Sequence, residues 1–124
     1  MPDVLVIDDN ATQLCVRKAV LRGAGFSVLT AASAEQALDL LHDHIATADL
    51  RVILTDHVLP GASGDAFVRE LREFSPSVPV LVISGMDEAE QKYAGLEVIF
   101  LHKPCAPEDL IAQVREAIKK VASD

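Results

Sequence analysis

Four charged residues stand where they can do chemistry. Asp8 and Asp9 close the apolar run Val4-Leu5-Val6-Ile7, Asp56 closes Val52-Ile53-Leu54-Thr55, and Lys103 closes Val98-Ile99-Phe100-Leu101-His102. Carboxylates gathered beside one ammonium suit a divalent cation and a phosphoryl group. Three carboxylates within a few ångströms repel each other by about 4 kcal/mol per close pair at an effective dielectric near 20, which makes the group a sink for positive charge. A dication and Lys103 together balance its formal charge. Mg²⁺ fits an all-oxygen set, because it keeps several waters and binds through one or two carboxylates and phosphate oxygens. Zinc would want Cys or His, and no such pair is placed to help.

These residues converge only if the runs are neighbouring strands. Each run is apolar throughout, as expected of a parallel strand covered on both faces. Between them, residues 11 to 23 carry Val16, Val20 and Ala24 at four-residue spacing, with Lys18 and Arg22 turned away and Gly23 and Gly25 ending the helix. Phe26 to Thr30 is a second strand. Ser33 and Gln36 form a capping box for a second helix, whose stripe is Ala34, Ala37, Leu38, Leu41 and Ile45 and whose end falls near Thr47. The third strand, Arg51 to Thr55, runs into a loop from His57 to Gly64. A third helix follows, with Phe67, Val68, Leu71 and Phe74 on its buried side and Ser75-Pro76 stopping it. Val78 to Ile83 is the fourth strand, ending in Ser84-Gly85, and a short acidic helical segment runs from about Asp87 to Tyr93. After the fifth strand and Lys103-Pro104, Pro107 opens the last helix, with Glu108 and Asp109 at its positive end and Lys119 and Lys120 at its negative end. Its stripe is Leu110, Ile111, Val114, Ala117, Ile118 and Val121.

Strands alternating with helices in this way predict an α/β fold, a flavodoxin-like (βα)5 three-layer sandwich with a parallel five-stranded sheet ordered 2-1-3-4-5. That order sets the first and third strands side by side, and Asp8, Asp9 and Asp56 with them, in the crevice where such sheets bind ligands. With 124 residues, half of them apolar, the chain is expected to form a single domain, 1–124, with no output domain. A formal charge of −8 and the lack of any Lys/Arg run argue against direct nucleic-acid binding. No apolar stretch has the length of a membrane span and no signal-peptide pattern opens the chain, so a cytoplasmic location is expected. Cys15 and Cys105 match no metal spacing, and Cys15 is expected to be a small apolar filler. His42, His44, His57 and His102 show no ligand spacing either.

Taken in order, these residues resemble the receiver domains of two-component response regulators. The match is an acidic pair after strand 1, a single Asp after strand 3, Leu59-Pro60 and Gly64 in the next loop, Ser84-Gly85 after strand 4 and Lys103-Pro104 after strand 5. The resemblance implies that Asp56 takes a phosphoryl group from a phosphohistidine on a sensor histidine kinase or histidine phosphotransfer domain. It implies that Asp9 and Asp56 ligate Mg²⁺ directly, that Val58 offers its backbone carbonyl and that Asp8 acts through water. Ser84 and Lys103 match the phosphate-contacting hydroxyl and ammonium, and Phe100 the aromatic switch residue. Asp56 would then be a carboxylate nucleophile in a signalling domain that assists its own phosphorylation and dephosphorylation and is otherwise not an enzyme. The added charge would draw Ser84 toward it and let Phe100 turn inward, altering the surface of the fourth helical segment, the fifth strand and the last helix.

Other readings stand beside this one. An Asp at a strand end can cap the next helix, and an aromatic at position 100 suits a strand core. The interval from Ser84 to Lys103 is short for a receiver, so the fourth helix is expected to be truncated or irregular. Cys105 stands where an aromatic is common, and His57 where an apolar residue is. The stretch Asp56 to Gly61 and the compact stretch before Phe100 resemble receivers of hybrid sensor kinases, so a stand-alone regulator and a receiver of such a kinase both fit; a homodimer is compatible with either. The downstream target is not named by the sequence. A Mg²⁺-dependent phosphohydrolase of the haloacid-dehalogenase type would need an Asp-x-Asp after strand 1, which Asp8-Asp9-Asn10 lacks. A receiver-like scaffold that binds partners without phosphorylation is opposed only by the intact acidic set.

Overall fold

Successive residues along a strand face opposite sides of the sheet, and here both sides are covered. The computed structural model describes residues 3–43, 50–59, 62–74, 78–85, 89–93, 95–96, 98–103 and 105–123. Its main strands are β1 (Val4–Ile7), β2 (Val28–Ala31), β3 (Val52–Asp56), β4 (Val80–Ser84) and β5 (Ile99–His102). Its helices are α1 (Ala11–Gly23), α2 (Ala34–His42), α3 (Gly64–Phe74) and α4 (Pro107–Ser123), with a 3₁₀ turn at Ala89–Tyr93. Leu5, Ile7, Ile53, Val80 and Val82 form one core with Ala34, Ala37 and Leu41 of α2 and Phe67, Val68 and Leu71 of α3. Val4, Val6, Val52, Leu54, Leu81 and Ile83 form a second with Leu21 of α1 and Leu110, Val114 and Ala117 of α4. The result is three layers, and each fully buried aliphatic side chain contributes about 1.5–3 kcal/mol by leaving water.

The sheet is parallel with the strand order 2-1-3-4-5, as the sequence predicts. Its register aligns the carboxyl ends. Ile7 pairs with Thr55, Asp56 with Ile83 and Ser84 with His102.

Several element boundaries differ from expectation. Asp56 and Ser84 are the last residues of their strands, not the first of the loops. The expected loop from His57 contains a small antiparallel ribbon, Val58–Leu59 against Ala62–Ser63. Ser33 caps α2 through its side chain, 3.1 Å from the Gln36 N–H, but Gln36 reaches back to the Ala32 N–H at 2.6 Å, one residue beyond a standard capping box. On α1 the inward residues are Leu14 and Leu21, seven apart, while Val16 is 54% exposed and Cys15 is exposed, so neither belongs to the core. The four-residue stripe was the wrong face, since α1 carries apolar residues on two sides. Ile45 and the end expected at Thr47, His44, Pro60, Gly61, Ser75-Pro76, Asp87 and Pro104 lie outside the described residues, as do the side chains of Phe74 and Val121.

Candidate functional site

Four strand ends build the site. Because Ile7 and Thr55 are register partners, Asp8 and Asp56 emerge side by side from the two central strands. Both are buried, while Asp9 is exposed. Asp8 is held by the Asp8 N–H donating to the Ala31 carbonyl at 3.1 Å, and its Oδ1 accepts the Asn10 N–H at 2.9 Å. Neither Asp caps α1: that role falls to Asn10, whose side chain accepts the Gln13 N–H at 3.0 Å. The next strand brings Ser84, buried, and the edge strand brings Lys103, whose N–H donates to the Ser84 carbonyl at 2.9 Å. Lys103 Nζ lies 3.0 Å from Asp56 Oδ2.

Electrostatics at Asp8 are crowded. Burial pushes its carboxyl above the usual range, as do the charges of Asp56 and Asp9, against the opposing pull of the Asn10 N–H and Arg17. Arg17, which the sequence reading passed over, sends Nη1 to 2.6 Å from Asp8 Oδ2, with side-chain exposures of 12% and 1%. A signal for it exists in retrospect: Arg17 sits between Leu14 and Leu21, on the inward stripe of α1. Among the described residues, no three His, Cys, Asp or Glu side chains are gathered closely enough to hold an ion as they stand. Each buried carboxylate is paired with a cation of the chain, Asp8 with Arg17 and Asp56 with Lys103. The donor chemistry still fits a hard dication, since carboxylate and carbonyl oxygens are the ligands available at this edge.

A second buried group adjoins the acidic edge. His57 is 3% exposed, and its Nδ1 shares a 2.6 Å hydrogen bond with the Tyr93 hydroxyl. Burial and the charges of Asp65 and Asp56 push the Tyr93 phenol well above its ordinary value, so it keeps its proton. Tyr93 meets Phe100 edge-on at 5.7 Å, and Phe100 in turn lies 5.4 Å from the His102 ring. The His57 N–H donates to the Ile83 carbonyl at 3.0 Å and its carbonyl accepts the Gly64 N–H at 2.6 Å. Phe100, the expected switch residue, is partly buried and packs against the core. Tyr93 was missed because its closeness to His57 arises only when the 3₁₀ turn docks.

A five-stranded parallel sheet whose carboxyl edge carries this acid and lysine group is a doubly wound α/β protein with its crevice at the switch point. The chain belongs to the receiver domain family of response regulators, whose family model matches residues 4–115. It is 36% identical over 121 residues to the hydrogenase transcriptional regulatory protein HoxA of Cupriavidus necator, covering 94% of this chain and 24% of that protein. It is 30% identical over 122 residues to the phosphate regulon transcriptional regulatory protein PhoB of Pseudomonas aeruginosa, covering 94% of this chain and 52% of that one. The chain thus spans about half or less of these curated relatives. Among solved structures, a CheY-like receiver domain from Methanospirillum hungatei superposes with a TM-score of 0.89 at 21% identity over 99% of this chain and 98% of that one, a likeness of fold. The chemotaxis response regulator CheY4 of Vibrio cholerae superposes at 0.83 with 28% identity, over 94% of this chain and 98% of that one. The family is one of signalling domains in two-component systems. Among the described residues, no helix is long and apolar enough to cross a membrane.

Proposed function

We propose that Asp56 accepts a phosphoryl group from the phosphohistidine of a sensor histidine kinase or histidine phosphotransfer domain, in a Mg²⁺-dependent phosphorelay step. The observation that carries this reading is Lys103 Nζ at 3.0 Å from Asp56 Oδ2 at the end of a central strand, with Asp8 just past the end of the neighbouring strand. A carboxylate oxygen of Asp56 attacks phosphorus, the P–O bond forms as the P–N bond breaks, and the electron pair leaves with the imidazole. Lys103 moves from the carboxylate to the phosphoryl oxygens, and the Ser84 hydroxyl donates to one of them. Asp9, Asp56 and the Val58 carbonyl would hold Mg²⁺, with Asp8 behind water. The bound ion supplies charge neutralisation on the transferring oxygens.

Partner access has a structural counterpart. Val16, Val20, Cys105, Pro107 and Leu110 line a groove of about 470 Å³ between α1 and α4 that also reaches Lys103. A helix of the phosphodonor seated there would lie beside the acceptor. The reading is tested by incubating the protein with Mg²⁺ and acetyl phosphate and following its mass. One hydroxylamine-labile phosphoryl adduct, absent in Asp56→Asn and without Mg²⁺, is expected. No adduct would favour a scaffold that works without phosphorylation, and rapid multiple turnover of phosphate esters would favour a hydrolase.

A further inference from the structure

Both oxygens of Asp8 are already engaged. Oδ1 accepts the Asn10 N–H at 2.9 Å, and Oδ2 lies 2.6 Å from Arg17 Nη1, with the Asp8 side chain 1% exposed and that of Arg17 12%. We propose that Arg17 is a built-in counter-cation that competes with Mg²⁺ for Asp8, so that the unmodified site binds the ion weakly and holds it firmly only together with a phosphoryl group. This rests on the phosphoacceptor reading above and deepens it. An ion ligated by Asp8, directly or through water, has to share its carboxylate with a charge-assisted hydrogen bond from Arg17 in a buried setting, where such bonds are strong.

Charge counting points the same way. Asp8, Asp9 and Asp56 carry three negative charges, and Arg17 and Lys103 return two, which leaves the group at minus one. A dication alone overshoots to plus one. A phosphoryl group on Asp56 replaces a single carboxylate charge by about two on phosphate oxygens, and ion and phosphoryl group together then bring the sum to zero. Without Arg17 the order reverses, and the ion alone is balanced. Arg17 therefore acts as a positioning residue that makes ion and phosphoryl binding mutually dependent, a coupling that is reciprocal by linkage.

Mg²⁺ alone is titrated into the full chain by calorimetry, for the wild type, Arg17→Met and Arg17→Lys, with thermal unfolding without Mg²⁺ as the check on folding. Arg17→Met is expected to bind Mg²⁺ about tenfold more tightly than wild type, a difference of ~1.4 kcal/mol. Arg17→Lys is expected to stay near wild type. Adding beryllofluoride, an acyl phosphate mimic, should narrow the gap. In the wild type the Arg17 Nε–H resonance should move in step with Mg²⁺ occupancy, a readout that does not depend on any variant folding. Equal or weaker Mg²⁺ binding by a folded Arg17→Met, or an Arg17 resonance that stays fixed as Mg²⁺ saturates, overturns the proposal. If the wild type binds Mg²⁺ and forms the Asp56 adduct while Arg17→Met binds no tighter, only the counter-cation role falls. If neither protein binds Mg²⁺ and no adduct forms, the phosphoacceptor reading falls with it.

Discussion

The pair made by His57 and Tyr93 ties the residue after Asp56 to the far side of the sheet edge. Removing only the hydroxyl, in Tyr93→Phe, leaves the buried Nδ1 of His57 without its 2.6 Å partner, and an unsatisfied buried polar group costs about 1–3 kcal/mol. A lower urea midpoint with an unchanged m-value is the expected result. Asp65 adds a pH signature. Its burial opposes ionisation, but hydrogen bonds from Ser63 and from its own backbone N–H, and the charges of Arg69 and His57, outweigh burial and hold the carboxyl below its usual range. Folding therefore favours the ionised form, so the contribution is present above the unfolded value near 3.9 and is lost as pH falls through the lower folded one. Stability measured against pH should show wild type and Asp65→Asn differing most above about pH 4 and converging below it.

At the scale of elements, α1 separates what patterning reveals from what it hides. Its apolar residues serve two surfaces: Leu14 and Leu21 enter the core, and Val16 and Val20 line the groove toward α4. A single-stripe reading of the sequence has no way to divide them. Leu21→Ala is expected to cost about 2–5 kcal/mol because it leaves a cavity under the sheet, whereas Val16→Ser should stay within about 0.5 kcal/mol; chemical denaturation of both distinguishes the faces. The strands were legible because runs buried on both sides carry one message at every position. The convergence of Asp8, Asp56, Ser84 and Lys103 was legible too, since each ends a strand and the register aligns those ends. Arg17 and Tyr93 were not: the spacing Leu14, Arg17, Leu21 marks Arg17 only once the inward face of α1 is known, and Tyr93 is brought in by the docking of a 3₁₀ turn.

For the whole molecule, the aromatic chain from His57 through Tyr93 and Phe100 to His102 joins the acidic edge to the edge strand β5. If phosphorylation shifts the population between two packings, amide exchange over residues 84 to 105 should change between unmodified and beryllofluoride-bound protein, while β1 and α2 stay constant. On the proposed phosphoacceptor reading, Mg²⁺ binds only the folded chain, so ion at a hundred times its Kd should raise the unfolding free energy by about 2.7 kcal/mol. Chelation with EDTA should return the melting curve to its starting point.

Gly64 carries a historical consequence. A methyl group on its Cα would collide with the Tyr93 hydroxyl and press on His57 Cα at 3.1 Å and the Asp56 carbonyl oxygen at 3.2 Å. Positions 64 and 93 therefore cannot drift independently. A lineage that replaced Gly64 first would evict Tyr93 from its pocket, whereas one that lost the hydroxyl first would meet only the two milder contacts. Substitutions here have a preferred order, and the double variant Gly64→Ala with Tyr93→Phe should be less destabilised than the sum of its parts.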